Sequence, residues 1–235
     1  MASYRGHLMF STGLGVAYGG LAWWQLGFDW PPAVLGGALT AIAGLLPDLD
    51  SDSGVPVREL FGLAAATVPF LLLRRLEAKA VSTEQMILTL GSVYLLVRYG
   101  LSALFKRVTV HRGMFHSVPA MCISGLLVFL LYHNPEMKIR LYLAAGAMIG
   151  FLSHLVLDEL CSVDIAGAKL KLNKYAGSAL KLRSVSTLAT LATYSVLAGL
   201  TYLAMLDWEG FQNPLREAQR RALQIVPQSK SIQTR

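Results

Sequence analysis

The sequence predicts an all-α fold: a polytopic bundle of about four to seven transmembrane helices, with a metal site at the helix ends on one membrane face. Three observations lead there. Hydrophobic residues make up 54% of the 235 residues and charged ones 15%, and the mean hydropathy is +0.49. Both fractions depart from those of a water-soluble domain. The apolar residues fall in long runs separated by polar stretches, as a chain with lipid as its solvent requires. The ionisable residues at the edges of those runs gather in four places.

Helices are expected at about residues 8–28, 33–47, 58–73, 84–105, 114–132, 140–158 and 186–206. The first run follows Arg5 like a signal peptide, yet it is long, rich in glycine and followed by further spans, so it reads as a retained helix. Pro31 and Pro32 separate it from the second run, and Pro47 closes the second, because proline lacks the backbone donor and clashes with the preceding turn. The second and third runs are short. A 15-residue helix reaches about 22 Å against a hydrocarbon core of about 30 Å, so these two are expected to be tilted, partly buried or half-spanning. Gly15 and Gly19, and Gly37, Ala41 and Leu45 with Gly44 beside them, recur at spacings that let helix backbones approach closely.

Residues 1–206 read as one membrane-embedded domain. Within it, residues 159–185 form a basic loop with Lys169, Lys171, Lys174, Lys181 and Arg183, expected to lie along the headgroups. Residues 207–235 read as a basic tail, with a surface helix between Pro214 and Pro227 that mixes Leu215, Ala218 and Leu223 with Arg216, Arg220 and Arg221. The net charge of +7 and pI near 9.5 then point to anionic lipid headgroups as partners, with no specific nucleic acid. Cys122 and Cys161 have no paired framework, which argues against a structural disulfide.

The four ionisable places are His7; the PDLDSD stretch with Asp48, Asp50 and Asp52; the HRGMFHS stretch with His111, Arg112, His116 and Ser117; and His154 with Asp158. If all seven runs cross, the second, fourth and sixth each return the chain to the side that holds His7. Every cluster then lands on one membrane face. His154 and Asp158 are separated by four residues, about 40° on a helical wheel, so both reach one ion; the alternative is a hydrogen bond between packed helices. His111 and His116 are about 140° apart if one helix runs through both, and Gly113 between them permits a loop-to-helix transition. The alternating carboxylates of PDLDSD offer hard oxygen ligands from a turn, or a polar cap for the next helix. The positive-inside rule, once the distal tail is set aside, tilts the His7 side towards the cytoplasm.

In this order, an N-terminal GH, LLPDLDSD, HRGMFHS and HLVLD resemble the YdjM-type family of membrane-bound, metal-dependent hydrolases of the bacterial inner membrane. The likeness covers about residues 6–158. More distantly the series resembles zinc-dependent phospholipase C and its single-strand nuclease relatives, helical enzymes that cleave phosphodiesters. That resemblance implies metal ligation by His7, Asp48 or Asp50, His111, His116, His154 and Asp158. This chain has Asp158 where the phospholipase has glutamate, and it has fewer histidines than a three-zinc site needs. One or two zinc ions are therefore expected, with manganese or magnesium as substitutes.

The implied activity is hydrolysis of a phosphoester or phospholipid-like substrate by metal-activated water. Asp48 or Asp50 would orient that water or take its proton, and Arg112 would offset charge on a phosphoryl oxygen. Two other classes stay open: a non-catalytic structural or partner-binding membrane protein, and a transporter, against which the placement of the ionisable groups at helix ends counts.

Overall fold

The computed structural model describes residues 3–50, 54–103, 114–161, 163–166, 169–172, 181–184 and 186–225. Within them the chain forms α1 (Tyr4–Trp24), α2 (Trp30–Ala43), a 3-10 turn (Leu46–Asp50), α3 (Gly54–Ala78) and α4 (Thr83–Leu95). It continues with α5 (Val118–Leu131), α6 (Met137–Leu160), a hairpin of β1 (Val163–Ala166) and β2 (Lys169–Leu172), and α7 (Thr187–Ile225). Each of the seven expected helices is present. The hairpin is an addition, an antiparallel pair with Val163 opposite Leu172, inside the stretch expected to be a loop.

Helix boundaries follow local chemistry. The Ser3 side chain accepts from the Gly6 amide and starts α1 early enough to carry His7 on the helix. Pro31 and Pro32 occupy the first positions of α2, where a missing N–H is harmless. Ser82 and Gln85 form a reciprocal capping box at α4, which ends in a wider π-type turn over Leu96–Leu101. α3 is longer than the apolar run alone indicates and carries Pro69 inside it. α7 passes through Pro214 without a break, so the basic tail segment continues the last helix up to Ile225. Residues 226–235 lie outside the described residues.

α1, α2 and α6 form the centre, α5 packs on α6, and α7 leans on α5; α3 and α4 pack chiefly on one another. Small residues make the centre possible. A Cβ at Gly15 would sit 2.3 Å from the Gly37 carbonyl oxygen, and one at Gly150 would sit 2.0 Å from that of Thr40. The inner face of α1 is His7, Ser11, Gly15, Gly19 and Ala22. Its outer face exposes Met9, Val16, Trp23 and Trp24. Large apolar side chains outside and small or polar ones inside suit a lipid solvent, in which close backbone packing replaces the hydrophobic drive. Among the described residues, Trp30–Asp48, Met137–Leu160 and Thr187–Gly210 are long and apolar enough to cross a membrane.

Candidate metal centre

The start of α1, the turn after α2, the segment before α5 and the end of α6 meet at one end of the bundle. They bring together His7, Asp48, His116, His154 and Asp158, of which all but Asp48 are buried. Register explains the meeting. One turn beyond the Thr40–Gly150 contact lie Gly44 and His154, and the His154 Nδ1–H donates to the Gly44 carbonyl at 2.8 Å. Gly44 ends α2, where the last carbonyls have no partner within their own helix. Ser11 packs against Gly44, where a Cβ would come within 2.3 Å of it, and so holds α1 and His7 against the same point.

This donation fixes the His154 tautomer. Nε2 then carries a bare lone pair, and it lies 3.6 Å from Asp48 Oδ1 and 4.0 Å from Asp158 Oδ2. The atom is buried and has no hydrogen-bond partner among the described residues. A lone pair facing carboxylate oxygens is repulsive, and a cation between them reverses the sign. The carbonyl behind the imidazole is also the usual support of a metal-bound histidine. His7 stacks on His154 with ring centroids 3.6 Å apart and planes 8° from parallel, and its Nε2 is 3.2 Å from Asp158 Oδ1. His116 meets the His154 ring edge-on, with its Nε2 4.0 Å from Asp158 Oδ2.

Two overlapping sets result, His7 with His154 and Asp158, and Asp48 with His116 and His154. Within each, the ligand atoms all lie within 4.8 Å of one another. Bonds of about 2.0–2.2 Å around a tetrahedral ion place neighbouring ligands roughly 3.4 Å apart. The separations between the imidazole nitrogens and the two carboxylates, 3.2 to 4.0 Å, bracket that value, so these residues could hold a metal.

Five residues expected at the site are thus brought together. The backbone of Asp50 closes the same turn as Asp48, while its side chain lies outside the described residues, as do Asp52, His111 and Arg112. Ser117 is fully buried and caps α5 through the Ala120 amide at 3.3 Å, so it fixes the backbone next to His116. The sequence reading missed the Gly44 carbonyl. Its signal was a glycine closing α2 three residues before PDLDSD, which leaves an acceptor free at the site. Also missed was Lys181, whose carbonyl accepts from the Val118 amide at 3.2 Å and ties the basic loop to the His116 segment.

No curated protein and no solved structure matches this chain. The family described as YdjM inner membrane protein matches over residues 1–172, a stretch that contains every residue of the candidate centre, and the chain belongs to that family.

Proposed function

We propose that this chain is a multi-pass membrane hydrolase in which His7, His154 and Asp158 hold one divalent cation, with Asp48 and His116 at its edge. It acts on a phosphoester or phospholipid-like substrate at the membrane face. The observation that carries this reading is the buried lone pair of His154 Nε2, directed at Asp48 and Asp158 by the Gly44 carbonyl behind it. Since Nδ1 is committed to Gly44, both ligand sets must use Nε2. One lone pair serves one ion, which favours a single metal over two. A set rich in imidazole favours zinc over magnesium.

An ion held there lowers the pKa of a bound water from 15.7 towards about 7 and supplies hydroxide at neutral pH. Asp48 is 17% exposed whereas Asp158 is 4% exposed and the His154 side chain fully covered, so the Asp48 edge is where water and substrate enter. Its carboxylate is placed to orient the water or take its proton. Arg112 is proposed to offset charge on the phosphoryl oxygens. The phosphoester class rests on the likeness to zinc-dependent phospholipase C, and the amphiphilic character rests on a site at the ends of membrane-length helices.

Burial of the other four side chains favours a second reading, a closed ion that ties four segments together without chemistry. Elemental analysis of the purified protein comes first, followed by a screen of phospholipid and nucleotide phosphodiesters with wild type and Asp48→Asn. Stoichiometric zinc with hydrolysis lost in the variant is the expected result. Zinc without hydrolysis leaves the structural reading, and no stoichiometric metal removes both.

A further inference from the structure

At the opposite end of the bundle a second charged cluster joins α3, α5, α6 and α7. Arg75, in the last turn of α3, places Nη2 2.7 Å from Asp207 Oδ1 on α7 and donates through Nη1 to the Leu130 carbonyl. Arg140, near the start of α6, bonds the other oxygen of Asp207 and donates to the Phe129 carbonyl at 2.9 Å. Phe129 and Leu130 lie in the last turn of α5, so both guanidiniums meet carbonyls that the helix itself cannot satisfy. Arg140 is 1% exposed and stacks on the Phe129 ring at 4.1 Å.

The pairing is unbalanced. Among the described residues, two guanidiniums carry two positive charges and ten N–H donors, against one carboxylate. The bonds just described engage four of those donors, and Arg140 Nε is buried with no partner among the described residues. An uncompensated buried charge is expensive. The Arg75 side chain is 30% exposed, so a ligand can reach its remaining donors from outside, with the buried charge of Arg140 behind them.

Position indicates what that ligand is. All four tryptophans of the sequence, Trp23, Trp24, Trp30 and Trp208, lie at this end, and each is exposed. Such a belt marks the level of lipid headgroups. His7 and Trp24 stand at opposite ends of α1, about 25 Å apart along the helix axis, which is close to the thickness of the hydrocarbon layer.

We infer that Arg75 and Arg140, bridged by Asp207, form a binding site for the phosphate group of an anionic lipid in the leaflet opposite the candidate metal centre. Planar guanidiniums pair with phosphate oxygens through two parallel hydrogen bonds, and a phosphate completes the charge that Asp207 leaves unbalanced. The inference stands apart from the hydrolase reading, because it uses none of the metal-centre residues.

The test uses the full chain, purified and stripped of lipid, with vesicles of phosphatidylglycerol or of phosphatidylcholine and with inorganic phosphate as a competitor. Wild type is expected to retain phosphatidylglycerol over phosphatidylcholine and to release it to phosphate. Arg75→Gln should weaken retention by about tenfold, and Asp207→Asn, which removes the internal anion, should strengthen it. Binding of phosphate with no preference between the vesicles would assign the site to a free phosphate and overturn the lipid. Equal retention in all three proteins, or equal losses that follow the fall in thermal stability, would reduce the cluster to a structural clasp. Circular dichroism of each variant in detergent reports whether it is folded.

Discussion

The two ends of the bundle solve opposite electrostatic problems with the same geometry. At the candidate-centre end the groups that converge are three imidazoles and two carboxylates, which offer nitrogen and oxygen ligand atoms. At the tryptophan end they are two guanidiniums, which offer N–H donors around one carboxylate. Each group is assembled where helix ends leave backbone carbonyls exposed. Gly44 accepts from a histidine at one end, and Phe129 and Leu130 accept from arginines at the other. The same backbone acceptor therefore leaves an imidazole lone pair available at one end and fixes a guanidinium at the other.

The comparison breaks most readily at His154. Replacing it with alanine removes the ligand common to both sets, and metal retention should be lost entirely while the bundle stays folded in detergent; undiminished metal content would remove the proposed centre. Asp207→Ala acts on the other end. It strands a buried guanidinium, and a cost of about 3 kcal/mol is expected, read as a lower unfolding temperature with metal content unchanged. Gly150→Ala forces a Cβ against the Thr40 carbonyl and should cost about 1–3 kcal/mol. Because it parts α2 from α6, it should lower metal affinity as well, which Asp207→Ala should not. Ser117→Ala removes the cap of α5 beside His116, for about 1 kcal/mol, with a small fall in metal affinity.

The smallest effect concerns His133, half-buried in the turn between α5 and α6. Burial, then the charges of Arg140 and Arg75, hold its imidazole below the ordinary histidine value. The unfolded chain therefore takes up the proton first as pH falls below about 6.5, and stability is lost in that direction. His133→Gln should flatten the acid-side loss in an unfolding series; an unchanged slope would show that other groups set it.

The helices were legible because hydropathy and proline placement are local. Pro31 and Pro32 do begin α2, and the turn that holds Pro47 and Asp48 does follow it. The extra length of α3 was hidden, since Gly54 and Pro56 read as a break before its apolar run and Arg74, Arg75 and Glu77 are polar after it. The site residues were legible by type and by parity: alternate helix crossings return to one side, and His7, Asp48, His116, His154 and Asp158 meet there. The Arg75–Arg140–Asp207 cluster was not legible. Its members are separated by 65 and 67 positions, and a basic residue next to an apolar run looks the same whether it faces lipid headgroups or a buried aspartate.

By itself the sequence determined that this chain is a helical bundle suited to lipid, which residues have metal-binding chemistry, and at which end they gather. These follow from composition, periodicity and the direction of each crossing. Only the tertiary structure decided which nitrogen of His154 is free, that Gly44 makes it so, and that Asp207 serves two arginines. Those facts depend on backbones approaching to within van der Waals contact at Gly15, Gly37 and Gly150, a property of how helices pack that no single stretch of residues contains.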